Sequence, residues 1–250
     1  MAAPAKRSPK KTAPRKRTRK AVKKGAAQDS WLRWTVAVIL AAATLRLAVN
    51  ALGLVPVHFD EGQYWAYGQE MAAGHFSKPP LVGWVIWLAT ELGGDTTFAL
   101  RVFSVISHGV VAAFIFLSGR RLFDGRTGFW AATAYTVAPG VSVSAMIMST
   151  DPVMMAFWGL ALYAWIRAAE GQRSWWAVMG AAIGAGMLAK YTMLAFVAGT
   201  VGYGLFSARG RDFQGMAIAA GVALFVFSPN LVWQLTHDFA TARHVAEDAA

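Results

Sequence analysis

Long apolar runs separated by short polar segments dominate this 250-residue sequence. The first run extends from about Trp31 to Val55, close to the roughly twenty residues that a helix needs to cross a bilayer core. Further runs, two of them short, lie at about residues 98–118, 128–147, 153–166, 175–188, 193–206 and 216–233. The pattern predicts an all-α, polytopic membrane helix bundle with about seven spans.

A shorter apolar segment follows the first span, at residues 80–91. About a dozen residues suit an interfacial or re-entrant helix better than a crossing. We therefore predict that the whole loop 56–97 stays on the outer face and forms juxtamembrane helices there.

Positive charge is concentrated at the N-terminus of the chain. The net charge is +11, and residues 1–24 hold eleven Lys or Arg and no acid. Such a segment buries too little apolar surface to fold, so residues 1–29 are predicted to be a disordered basic tail. The positive-inside rule places this tail in the cytoplasm, near anionic lipid. Nucleic acid is not favoured as its partner, because no aromatic residues are interleaved with the basic ones.

Overall composition agrees with a membrane protein: 56% of residues are hydrophobic, 15% are charged and the mean hydropathy is +0.40. Cysteine is absent, which excludes disulfides, thiolate metal sites and cysteine nucleophiles.

Charged residues that could carry chemistry fall on one side of the predicted topology. Asp60 and Glu61 follow the first span, Lys78 precedes two prolines, and Asp151 precedes Pro152 at the start of a later span. Lys190 lies in an otherwise apolar run, where a charge without a purpose costs free energy. All of them are predicted to be extracytoplasmic.

Several short motifs occur in an order that is similar to that of a known family. In chain order they are Asp60-Glu61, Tyr64 and Tyr67, Lys78-Pro79-Pro80, and the turn at residues 149–152. The set is similar to the GT-C membrane glycosyltransferases, specifically the bacterial branch of glycosyltransferase family thirty-nine. This branch includes protein O-mannosyltransferases and the aminoarabinose transferase that acts on lipid A. The resemblance covers residues 30–240.

The resemblance implies an enzyme that transfers a sugar, with inversion, from a polyprenyl-phosphate donor to an acceptor hydroxyl outside the bacterial inner membrane. It implies Asp60 as the catalytic base, Lys78 as a ligand of the donor phosphate, and Asp151 as a residue that positions donor or acceptor. By its own chemistry, Glu61 could orient the acceptor or share a cation with Asp60.

Other residues of the predicted site are candidates by their chemistry. Tyr64 or Tyr67 could stack on the sugar, and Lys190 is a second phosphate or sugar ligand. The acceptor could be a glycan, a lipid or a protein hydroxyl. A divalent metal stays an open question, because no recognised ligand spacing is present.

Structural roles compete with these assignments. Asp60 and Asp151 could each cap a helix, and Glu61 could be a first-turn residue that the helix dipole favours. Lys78 could extend its ammonium towards lipid headgroups. For the whole chain, the alternatives are a flippase for lipid-linked sugars and a membrane anchor with a basic interaction tail. The chain also stops in a polar stretch, residues 241–250, which leads us to expect a truncated protein.

Overall fold

The computed structural model describes residues 15–206, 212–241 and 243–244, and within these ranges the regular structure is helical, without strands. The prediction of an all-α fold is confirmed. The helices are α1 Arg15–Ala51, α2 Phe59–Gly68, α3 Leu81–Gly93, α4 Thr97–Leu122, α5 Gly125–Val137, α6 Pro139–Ser144, α7 Thr150–Ala169, α8 Ser174–Ala189, α9 Leu194–Phe206 and α10 Phe213–Thr236. A 3₁₀ turn, Tyr191–Met193, joins α8 to α9.

Four helices of the described chain are long and apolar enough to cross a membrane: Ser30–Ala51 within α1, and all of α4, α7 and α10. The other predicted spans correspond to shorter helices, since α8 has 16 residues and α9 has 13. At 1.5 Å per residue these reach about 20 to 24 Å, less than a bilayer core of about 30 Å. The seven-span topology therefore stays a prediction.

Two of the predicted boundaries change in the structure. The run at 128–147 is not one helix, because Ala138 takes an extended ψ of 132° before Pro139 and divides α5 from α6. The N-terminal helix begins at Arg15, within the segment predicted to be disordered, while residues 1–14 lie outside the described residues. Most of the predicted polar end, 242 and 245–250, also lies outside them.

Two short helices follow the first span, as the sequence predicts. α2 and α3 pack against each other, and α3 also packs on α4. The loop 69–80 between them contains Lys78 and is held by α3, because Trp84 donates its indole N–H to the Ala72 carbonyl over 2.8 Å.

The broken element α5–α6 is held by polar side chains from neighbouring spans. Arg46 of α1 donates to the Thr136 carbonyl at 2.6 Å, and Ser104 of α4 contacts the Ser144 and Ile147 carbonyls at 2.9 and 3.0 Å. Carbonyls released by a helix break inside a bilayer find no water, so these donors stabilise the irregular backbone.

Small residues let α8 and α10 approach closely. Gly180 faces Ala219, and Gly184 faces Ala223. A Cβ added at Gly184 would lie 2.6 Å from the Ala223 carbonyl oxygen. Such small-residue contacts drive helix association in membranes, where apolar burial between helices contributes little.

This interface predicts that Gly184→Ala destabilises the protein by about 1–3 kcal/mol, because the new methyl group forces α8 and α10 apart. Gly221→Ala is the matched control: Gly221 lies on α10 with no atom near its missing Cβ, so this change should be neutral or stabilising. Thermal unfolding in detergent measures both. Equal melting temperatures for the two variants would contradict the close contact.

Candidate active site

The N-cap of helix α2 is His58, not Asp60. The His58 side chain accepts from the Asp60 backbone N–H at 3.4 Å, and the Glu61 carboxylate accepts from the His58 backbone N–H at 2.9 Å. The interpretation of Asp60 as the N-cap is therefore wrong. Its carboxylate is 50% exposed and its nearest ionic neighbour is the exposed His58 ring at 3.8 Å. Asp60 thus presents a carboxylate that is open to a ligand.

Glu61 faces the opposite way and is fully buried. Its two oxygens accept from Arg101 at 2.8 and 2.7 Å, and Oε1 also accepts from the Met148 backbone N–H at 2.9 Å. Burial acts to raise the pKa of Glu61, but the hydrogen bonds from Arg101, His58 and Met148 outweigh it and hold the pKa below its usual value. A carboxylate with these contacts is ionised and held firmly in place.

Arg101 connects this carboxylate to the end of the first span. Its guanidinium is 1% exposed and donates to the carbonyls of Val55 and Pro56 at 3.0 and 2.9 Å. In the sequence, a cation near the start of an apolar helix indicates that Arg101 needs a carboxylate or a headgroup as its partner, but it does not identify that partner.

Tyr64 is electrostatically coupled to two exposed carboxylates, Asp60 and Asp151. Its ring is buried, so no face is open for stacking on a sugar in this structure. The pKa of the phenol is raised to about 12, mainly by burial and further by the charges of Asp60 and Asp151, while a hydrogen bond with Thr150 opposes the shift. Both carboxylates are therefore within electrostatic reach of one hydroxyl.

Asp151 and Lys190 form an ion pair, with 2.7 and 2.9 Å from Nζ to the two carboxylate oxygens. Asp151 lies in the first turn of α7, behind the N-cap residue Ser149, so the capping interpretation is wrong here too. The side chains are 47% and 32% exposed. This pair is accessible to a ligand at the same end of the bundle as Asp60.

Lys78 lies in the loop 69–80 and is half-buried. Within the described part of the chain its ammonium makes no hydrogen bond or ion pair. Its neighbour Ser77 contacts the Tyr67 hydroxyl at 2.8 Å, and the Tyr67 ring stacks on His75 with 4.2 Å between centroids. Tyr67 therefore positions the loop, and its ring is already engaged by a histidine.

The structure thus brings Asp60, Tyr64, Asp151 and Lys190 together, and joins the Lys78 loop to α2 through Tyr67. Glu61 is set apart in its buried pair. Among the residues that the structure describes, no group of three or more His, Asp or Glu side chains could hold a metal ion.

A helical membrane bundle with carboxylates and lysines at one end matches a known class of fold. It resembles the crystal structure of ArnT from Cupriavidus metallidurans bound to undecaprenyl phosphate, with a TM-score of 0.66 and 22% identity over 84% of this chain and 42% of that chain. The fold is that of the GT-C superfamily. The protein is a multi-pass membrane protein.

The family is shown by the sequence itself. The family model for dolichyl-phosphate-mannose-protein mannosyltransferase matches residues 77–233, and the chain belongs to this family. The resemblance inferred from the motifs is confirmed.

Curated relatives of this chain are named as glycosyl transferases. The chain is 31% identical to lipid A galacturonosyltransferase RgtD of Rhizobium johnstonii, over 85% of this chain and 46% of that protein. It is 33% identical to undecaprenyl phosphate-alpha-4-amino-4-deoxy-L-arabinose arabinosyl transferase 1 of Pseudomonas fluorescens, over 50% of this chain and 24% of that protein. The chain therefore spans less than half the length of these relatives.

The buried pair predicts a large penalty for Glu61→Gln. The amide would leave the Arg101 charge without a counter-ion and turn an N–H group towards it, at a cost of about 3–5 kcal/mol. Glu170→Gln is the matched control, because Glu170 pairs with Arg121 in a half-exposed ion pair worth about 0–1 kcal/mol. Thermal unfolding in detergent compares the two.

The same pair sets the direction of the pH dependence. Because the folded-state pKa of Glu61 is lowered, its contribution is present above the ordinary glutamate pKa and is lost as pH falls through the folded-state value. The melting temperature of the native chain should fall faster with acidification than that of Glu61→Gln. Parallel curves would contradict this assignment.

Proposed function

We propose that this chain carries the catalytic centre of an inverting membrane glycosyltransferase. It would transfer a sugar from a polyprenyl-phosphate donor to a hydroxyl of an envelope lipid or glycan, on the extracytoplasmic side of the bacterial inner membrane. The observation that carries the proposal is an open carboxylate, Asp60, at the same end of the bundle as the Asp151–Lys190 pair. The names of the relatives support lipid A or lipopolysaccharide core as the acceptor.

Asp60 fits the role of the base. In an inverting transfer, the acceptor oxygen attacks the anomeric carbon while the bond from that carbon to the phosphate oxygen breaks, and the electron pair leaves with the lipid phosphate. The acceptor proton must pass to a base within hydrogen-bond reach. Asp60 is free to take it, because its one ionic contact among the described residues is a long one to an exposed histidine.

Lysines fit the role of stabilising the leaving phosphate, where negative charge develops. Lys78 has an uncommitted ammonium among the described residues, and Lys190 is oriented by both oxygens of Asp151. Asp151 would then act through Lys190 as a positioning residue. Glu61 would likewise act through its neighbours, since its own oxygens are occupied.

An apolar cavity supports a lipid donor. A cavity of about 470 Å³ lies between α8, α9 and α10. Its lining includes Met187 and Leu194, which stand three residues before and four residues after Lys190. A phosphate at Lys190 would therefore have apolar side chains nearby for the isoprenoid chain that it carries.

The two ends of the bundle support the proposed orientation. Near its start, α4 carries Arg101, which pairs with Glu61. Near its end it carries Arg121, which pairs with Glu170 at the end of α7, while Asp151 lies in the first turn of α7. At 1.5 Å per residue the 26 residues of α4 separate its ends by about 39 Å. The arginine-rich end suits the cytoplasm by the positive-inside rule, which leaves the candidate site outside.

Asp60→Asn is expected to lower sugar transfer by about 10²–10⁴-fold, because the amide cannot take the acceptor proton. Transfer from labelled undecaprenyl-phosphate sugars to endogenous acceptors is measured in membranes at equal protein level. Glu91→Gln is the control, since Glu91 is an exposed carboxylate on α3. Full activity of Asp60→Asn would exclude Asp60 as the base, and donor movement across vesicles without transfer would instead support a flippase.

Lys78→Ala is expected to weaken use of the lipid donor about tenfold or more, because a charge-assisted contact to phosphate is lost. Its effect on expression should be small, since the ammonium has no partner among the described side chains. Binding of undecaprenyl phosphate to the purified protein gives a direct measurement. Arg120→Ala, at the other end of α4, removes a cation without touching the site. Equal donor binding by Lys78→Ala and the native chain would refute the assignment.

A further inference from the structure

A buried polar cluster joins α10 to the Lys78 loop. It consists of Tyr191 from the 3₁₀ turn, Asn230 and Gln234 from α10, and Thr241 beyond its end, and we refer to it as the α10 cluster. Asn230 is fully buried, and Thr241 is 1% exposed. Four polar side chains gathered in an apolar bundle are costly unless every one has a partner.

The hydrogen bonds of this cluster run outward from the Gln234 amide towards two backbone carbonyls. Asn230 donates from Nδ2 to the Ala73 carbonyl at 2.9 Å, so its Oδ1 accepts from the Tyr191 hydroxyl at 2.8 Å. The Tyr191 oxygen then accepts from Gln234 Nε2 at 2.8 Å, and the same amide donates to Thr241 Oγ1 at 2.6 Å.

Thr241 closes the chain by donating to the His75 carbonyl at 2.9 Å. Because carbonyls only accept, the two ends at Ala73 and His75 fix the direction of every bond between them. A reversed Gln234 amide would require the Tyr191 hydroxyl to donate twice, which one proton does not allow.

Both anchor points lie in the loop that carries Lys78. The His75 backbone N–H donates to the Lys78 carbonyl at 3.1 Å, so the second anchor is one hydrogen bond from the lysine. The backbone at Gly74 also packs directly on α10, since a Cβ there would meet the Trp233 ring. At the other side of the cluster, Tyr191 is the residue after Lys190.

From this arrangement we propose that the α10 cluster fixes the Lys78 loop against the Lys190 segment, and so sets the spacing of the two cations that hold the donor phosphate. The inference rests on the proposed function for its phosphate. Its members are positioning residues and touch neither donor nor acceptor.

Spacing matters because an ammonium holds a phosphate oxygen at about 2.8 Å, and displacement of a substrate-positioning group by about 1 Å can cost a hundredfold in rate. Loops between helices are otherwise the mobile parts of a fold. A loop that carries a phosphate ligand therefore gains from being tied to a spanning helix.

Thr241→Val tests the inference in the full chain, because valine keeps the volume and removes the hydroxyl that binds the His75 carbonyl. We expect amide hydrogen exchange in the loop 69–80 to rise about tenfold, and binding of undecaprenyl phosphate to weaken about tenfold. Thr241→Ser retains the hydroxyl, so its amide exchange in the loop and its binding of undecaprenyl phosphate should match those of the native chain. Tyr191→Phe, which cuts the chain between its anchors, is the second variant if Thr241→Val does not fold.

Each measurement tests a separate part of the proposal. Unchanged exchange in the loop 69–80 would show that the cluster does not hold it. Faster exchange with unchanged phosphate binding would show that loop position does not set the spacing of the cations. A native chain that does not bind undecaprenyl phosphate would overturn the proposed function and the cation spacing together, while the exchange data would still decide whether the cluster holds the loop.

Discussion

The ion pair between Glu61 and Arg101 is the interaction on which the site end of the bundle depends. Removing two charges from water costs several kcal/mol per ion, and only good geometry with further hydrogen bonds offsets it. Here the carboxylate receives two bonds from the guanidinium and two from backbone N–H groups, and the guanidinium also binds the carbonyls of Val55 and Pro56. One ion pair thereby holds together the segment after α1, the start of α2, the first turns of α4 and the turn before α7.

Anchoring Glu61 also determines what Asp60 can do. Neighbouring residues on a helix point about 100° apart, so a carboxylate turned into the bundle leaves the preceding one turned away from it. The environments then separate the two acids: one is ionised and surrounded by donors, the other is half exposed beside a histidine. The two adjacent carboxylates therefore differ in their electrostatic surroundings, and in known enzymes such a difference assigns acid and base.

How much of this the sequence predicts depends on the range of the interaction. Apolar run lengths are local, and they correctly indicate an all-α membrane bundle with short helices after the first span. The free-energy cost of placing a charge in an apolar run also indicates that Lys190 has a partner or a ligand. Partner choice is not local: Arg101 meets Glu61 across forty positions, and Asn230 reaches Ala73 across 157. The cap at His58 is hard to predict for the same reason. Aspartate is the better capping residue by propensity, but α2 is capped by His58, and Glu61 accepts from the His58 backbone while it pairs with Arg101.

Three buried polar side chains on long helices share one arrangement. Each donates to a carbonyl at a helix end or in an irregular segment: Arg46 to the end of α5, Arg101 to residues 55–56, and Asn230 to residue 73. Carbonyls that packing shields from water must find donors within the protein. The donors that satisfy the backbone also determine where each irregular segment lies. Two of these segments adjoin Asp60 and Lys78 in the chain, so the contacts that satisfy their backbone carbonyls also help to position those charged residues.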